Sequence, residues 1–241
     1  MSRSHSVFDW LERPLGQTLL AAETEIAERC LGQVFGFQTI QVGRWGSADQ
    51  FSRSSRTRRY AVLSPHAGAG VDLVSSADAL ALASDSVDAV ILPHTLETET
   101  DPHEVLREAE RVLSGNGHLL IFSFNPNSLW GIRHRLSNRR FPPGINRLVS
   151  EHRLRDWLRL LGFEVLSVTG YCAGPPTTAP AWLRESKLNQ PTANGVLKLM
   201  GGAFCLLACK RVFTLTRIMP GQKRKRRVLA GLAEPSRRIS T

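Results

Sequence analysis

The sequence lacks several signatures that would decide its class quickly. Its four cysteines, Cys30, Cys172, Cys205 and Cys209, form no CxxC pair and have no histidine at zinc spacing, so a metal site or a disulfide framework is not expected. Met1 to Trp10 carries Arg3, His5 and Asp9 without an apolar run of signal-peptide length, which leaves a cytoplasmic location as the expectation. The most apolar stretch, Gly195 to Leu215, is interrupted by Lys198, Lys210 and Arg211, so it reads as a core segment and no transmembrane segment is expected. At 241 residues with ordinary apolar and charged fractions, the chain has the material for one domain with a full core.

Charge is present in excess but unevenly placed. Of the formal net charge of +10, the stretch from Arg217 to the C-terminus holds eight basic residues against Glu234 alone, leaving about +3 for the remaining body. The Lys223 to Arg227 run predicts weak, salt-dependent attraction to polyanions from a disordered tail over residues 219–241; a membrane-surface tether is the alternative use of the same charges.

Hydrophobic period alternates helices with short apolar runs, the pattern of a parallel sheet covered on both faces. Leu15, Leu19, Ala22 and Ile26 mark a first helix, followed by candidate strands at 37–42, 60–63, 71–74 and 87–92. Asp101 as cap, Pro102 at the first helical position and Glu104 as the reciprocal acid start a helix striped by Val105, Leu106, Ala109, Val112 and Leu113. A strand at 119–124 completes a βαβ unit that crosses over right-handed. A helix from Ser150, stopped by Gly162, leads to a strand at 163–168; Pro175, Pro176, Pro180 and Pro191 mark 171–201 as an insertion, and 204–212 supplies a final strand. The domain therefore spans 1–218.

The succession Ala77-Asp78-Ala79-Leu80, Asp85-Ser86-Val87-Asp88-Ala89-Val90, Asp101-Pro102, Leu106-Arg107-Glu108, Arg111-Val112-Leu113 and Gly117 resembles the central block of class I S-adenosylmethionine-dependent methyltransferases. Trp157 to Val168 and Leu206 to Lys210 extend the resemblance over most of residues 30–212. It implies a Rossmann-like, doubly wound, mostly parallel seven-stranded sheet with an antiparallel last strand, S-adenosyl-L-methionine as cofactor, and a small-molecule or RNA methyl acceptor.

The resemblance also assigns residues. Gln41-Val42-Gly43-Arg44-Trp45-Gly46 stands at the glycine-rich cofactor loop, keeping Gly43 and Gly46 but carrying Gln41 for the acid and an indole where a glycine is usual. The ribose-binding acid falls at Ser64, which cannot grip a diol as a carboxylate does. Asp78 and Ala79 match the adenine contacts; the plain alternative for Asp78 is a solvated loop acid. His94, just past the fourth strand, is expected at the cofactor and as a catalytic base; a loop histidine that merely hydrogen-bonds to backbone is at least as common. Ser123 to Trp130 are expected to line the acceptor pocket, and Arg133, Arg135, Arg139 and Arg140 to form a solvated loop, with the holding of an anionic acceptor as the alternative. The altered glycine loop leaves two rivals to an active enzyme: an inactive methyltransferase fold serving as a scaffold, and an RNA-binding module acting through its tail.

Overall fold

The computed structural model describes residues 3–47, 49–137, 141–173, 175–176 and 201–211. Two helices come first, α1 (Arg3–Leu11) and α2 (Pro14–Leu31), joined by a corner so tight that a Cβ on Gly16 would lie 2.5 Å from the Cα of Leu11. Then follow β1 (Gln38–Val42), β2 (Arg59–Ser64), β3 (Leu73–Val74), β4 (Val87–Pro93), α3 (Thr95–Thr98), α4 (Pro102–Val112), β5 (Leu113–Phe124), α5 (Leu129–Leu136), α6 (Glu151–Leu160), β6 (Phe163–Ala173) and β7 (Gly201–Lys210). The seven strands lie in the order β3-β2-β1-β4-β5-β7-β6, all parallel except β7, which runs antiparallel to β5 and β6.

The central strands are buried on both faces, and their alternate residues divide between two cores. Ala89, Ile91, Leu120, Phe122 and Phe124 face α1 and α2, while Val90, Leu92, Leu119 and Ile121 face α4 and α6. At the head of α4 the Asp101 side chain accepts from the backbone N–H groups of His103 and Glu104, as expected of the cap, while the Glu104 carboxylate accepts from Arg107 in place of the expected reach back to Asp101. Gly162 ends the segment after α6 with φ of 81°, the left-handed stop expected of it.

Two differences from the sequence reading matter for function. The last two strands are longer: Tyr171 pairs with Ala203 and Ala173 with Gly201, so both ends of the expected 171–201 insertion belong to the sheet. Residues 177–200 and the tail, 212–241, lie outside the described residues. Arg133 and Arg135, read as part of a loop, lie instead on the helix α5, while Arg139 and Arg140 lie outside the described residues; Ser128 caps the helix by accepting from the Gly131 N–H, and Trp130 and Gly131 are buried beneath it. The Trp130 indole stacks on Phe124 and meets Trp10 edge-on, so it belongs to the core and not to an acceptor pocket. All four cysteines are free thiols, and among the described residues no helix is long and apolar enough to cross a membrane.

The Asp101 cap provides a direct check of this local chemistry. Asp101→Ala is expected to lower stability by about 1 kcal/mol in urea denaturation; a neutral result would show that the cap does not set the start of α4.

Candidate cofactor site

The carboxyl ends of β1, β2, β3 and β4 open onto one edge of the sheet, where parallel α/β folds place their ligands. Each predicted residue lies on this edge. Gly43 follows β1 with φ of 91°, its N–H donating to the Leu63 carbonyl. A Cβ there would also sit 3.0 Å from the Thr95 hydroxyl, which itself donates to the Val42 carbonyl. Glycine is thus required twice over. Gln41, standing where the family carries an acid, is buried and donates to the Gly43 carbonyl at 2.8 Å while accepting from the Tyr60 hydroxyl. Gly46 (φ 66°) closes the loop.

Ser64 is buried at the end of β2, and its carbonyl accepts from the Ser75 N–H. Asp78 and Ala79 are exposed in the turn after β3. That turn is firmly held: Ser76 donates to Asp78, Ser75 donates to the Ala79 carbonyl, and the Leu80 N–H donates to Glu108 on α4. Arg111 reinforces it by donating to the carbonyls of Leu80 and Leu82. Glu99 is half-buried after α3: burial and then the Asp78 charge push its carboxyl up, and His66 from the loop after β2 pulls it down. Asp78, Glu99 and His66, from different strand ends, are thereby within electrostatic reach of one another. Neither Glu99 nor His66 was singled out in the sequence, because each stands in an unremarkable polar loop.

His94 lies at the inner wall of this edge and has no exposure to solvent. Its backbone is left-handed, with φ of 56° and ψ of 15°, an uncommon conformation for a residue with a side chain. Nδ1 lies 2.7 Å from Oε2 of Glu97, and Nε2 lies 2.9 Å from Oε1 of Glu23 on α2. Both carboxylates are themselves fully buried and further satisfied. Glu23 accepts from the Trp45 indole N–H at 2.6 Å and from the Tyr171 hydroxyl at 3.0 Å; Glu97 accepts from the Ser123 hydroxyl and the Phe124 N–H, each at 2.8 Å. The imidazole is sandwiched between the Trp45 and Phe124 rings, at centroid distances of 4.3 and 4.1 Å.

Both ring nitrogens face side-chain oxygens of Glu23 and Glu97, an arrangement that suits an imidazolium donating from both. Burial alone pulls its pKa down, but the bonds and charges of Glu23 and Glu97 outweigh that and raise it to about 9. Burial also pushes the Glu97 carboxyl up, against the opposing pull of His94. Trp45 is only 2% exposed; its ring turns inward as a donor in this cluster. The cluster joins α2, the loop after β1, the end of β4 and the ends of β5 and β6.

With that geometry in place, the comparisons with known proteins are consistent. A family model described as a methyltransferase domain matches residues 52–121. The fold matches that of a Thermotoga maritima S-adenosylmethionine-dependent methyltransferase, a possible histamine N-methyltransferase, with a TM-score of 0.60, 17% identity, and coverage of 80% of this chain and 91% of the other. It also matches an Archaeoglobus fulgidus S-adenosylmethionine-dependent methyltransferase, with a TM-score of 0.56, 17% identity, and coverage of 80% and 93%. The chain has the fold of the class I S-adenosylmethionine-dependent methyltransferases and carries a methyltransferase-domain match in its central part. Among its relatives is the uncharacterized protein YafS of Escherichia coli strain K12, 30% identical over 210 residues that span 86% of this chain and 82% of YafS.

Removing one member of a buried charged cluster strands the others. His94→Gln is expected to cost about 3–5 kcal/mol in urea denaturation, because Glu23 and Glu97 would keep their burial and lose their counter-ion. The pH dependence follows from the sign of the shift. The folded-state pKa of about 9 lies above the ordinary 6.5, so the stabilisation is complete below the lower value and disappears as pH rises through the higher one. Thermal melts of the native protein should fall between those limits, and melts of His94→Gln should lack that decline.

Proposed function

We propose that this chain binds S-adenosyl-L-methionine at the carboxyl edge of β1 to β4 and transfers its methyl group to an acceptor, a small molecule or an RNA. The observation that carries the reading is the placement of Gly43, His66, Asp78 and Glu99 in four separate connections at the carboxyl ends of β1, β2, β3 and β4, the last beyond α3. The donor set suits the adenosine half of the cofactor. Asp78 is an exposed carboxylate on a braced turn, able to accept from an adenine amino group, with Ala79 beside it. Glu99 supplies at this edge the carboxylate that Ser64 lacks, making it the candidate acceptor for the ribose hydroxyls. Gly43 and Gly46 let the loop take its left-handed turns close against Thr95 and against Leu20 and Gln50.

When bound, the cofactor supplies an electrophilic methyl on a sulfonium, whose carbon–sulfur bond breaks as the acceptor attacks in line. The protein's contribution is alignment and exclusion of water. His94 enters this reading as a positioning residue: with both nitrogens committed to Glu23 and Glu97, it fixes the loop bearing Gly43 and Gly46 against the ends of β4 and β5. An acceptor whose proton leaves readily at neutral pH, or goes to water, matches a site in which the histidine is already occupied.

A second reading, a methyltransferase fold retained as a scaffold, is favoured by one observation, the indole of Trp45 in a position where the family keeps glycine. The two readings part on binding and turnover.

Calorimetric titration with S-adenosylmethionine tests the proposal. Saturable binding is expected, weakened about tenfold by Asp78→Ala, since a charge-assisted hydrogen bond contributes about 1.5 kcal/mol or more. Absence of heat and of thermal stabilisation at millimolar ligand would refute it. Saturable binding without transfer of labelled methyl into a cell extract would support the scaffold.

A further inference from the structure

The outer face of α5 carries a second, independent signal. Leu129, Ile132 and Leu136 recur at i, i+3 and i+7 and so share one side of the helix. They are 47%, 48% and 80% exposed, while the opposite side buries Trp130 and Gly131 in the core. A three-residue aliphatic stripe left in water on a short helix has an energetic cost that a soluble surface normally avoids. The charge of the segment itself is of one sign, although Arg139 and Arg140 lie outside the described residues, Arg133 covers the Phe141 ring and Arg147 donates to the Thr100 carbonyl, which leaves Arg135, exposed on the helix, as the cation not engaged in this way. From Ser123 to Ser150 the sequence contains no acidic residue and five arginines, Arg133, Arg135, Arg139, Arg140 and Arg147. The helix leaves the carboxyl end of β5, on the same edge of the sheet as the connections that carry Gly43, Asp78 and Glu99.

We infer that α5 is a membrane-docking helix that lies on an anionic lipid surface, and that the methyl acceptor is drawn from that surface as an amphiphile with an apolar body. The acceptor class rests on the methyltransferase reading; the docking does not. An interfacial helix needs apolar side chains that enter the acyl boundary and cations that meet the headgroups, and α5 with its flanks supplies both. A second copy of the chain is a poor occupant, because a face-to-face pair would bring two acid-free, arginine-bearing segments together. RNA is also disfavoured here, because the exposed side chains are aliphatic and give bases nothing to stack on. The docked orientation turns the carboxyl edge of the sheet toward the bilayer, so that an acceptor embedded by its tail can present its reactive group to that edge.

Flotation of the full-length protein with vesicles of phosphatidylcholine alone, and with vesicles containing phosphatidylglycerol, tests the docking. The protein is expected to float with the anionic vesicles and to remain in solution with the neutral ones. The triple substitution Leu129→Gln, Ile132→Gln and Leu136→Gln changes only exposed side chains, so an unchanged thermal melt is expected, with anionic-vesicle partitioning reduced at least about tenfold. Arg135→Glu should weaken it further and flatten its dependence on salt. Partitioning that survives the triple substitution would overturn the inference and place binding in the basic tail. Flotation of no sample would overturn it as well, as would a dimer in analytical ultracentrifugation that the triple substitution dissociates. These measurements contain no S-adenosylmethionine, so their outcome is separate from that of the ligand titration.

Discussion

An imidazolium held between two buried carboxylates organises the functional edge of this molecule. Glu23 comes from α2, His94 from the end of β4 and Glu97 from α3, so the cluster ties the amino-terminal helical layer to the sheet where the strands deliver their loops. Desolvating three ionisable groups is expensive, and the arrangement is tolerable because almost every oxygen has a donor: an indole, a hydroxyl from β6, a hydroxyl from β5 and a backbone amide. Rigidity of this kind suits a fold whose chemistry depends on alignment more than on proton transfer.

The same constraint gives Trp45 a different meaning from the one its position in the sequence suggests. As a residue in the place of a glycine it reads as an obstruction. In the structure its N–H completes the shell of Glu23 and its ring covers one face of His94. The departure from the family pattern therefore comes with partners. Glu23 and Tyr171 accompany the indole in a connected hydrogen-bonded unit, and changing any one of them disturbs the satisfaction of the others.

Much of the architecture was legible in residue order. The apolar run at Val87, the Asp101-Pro102 cap and the stripe from Val105 to Val112 each express local physics, and the βαβ unit they predict is present. The reversed final strand was legible through family resemblance alone, since antiparallel pairing leaves no periodic trace distinct from parallel pairing in a buried strand. Helix α5 escaped notice because it is short and its apolar side chains point both inward and outward, which blurs its period. The charge cluster escaped because it is long-range: Glu23 and His94 are 71 residues apart in sequence. One clue was available, an acid among Leu19, Ala22 and Ile26 on the buried face of α2. An acid at such a position must find a partner, and no local rule names it.

The protonation state of His94 bears most directly on this account. Nitrogen-detected NMR of the protein labelled in its histidine imidazoles, followed through a pH titration, reads it without perturbing the fold. A ring that carries protons on both nitrogens at neutral pH and loses one near pH 9 is the predicted outcome. A His94 ring that is singly protonated at neutral pH would contradict the doubly paired cluster, and with it the role assigned to Glu23, Glu97 and Trp45.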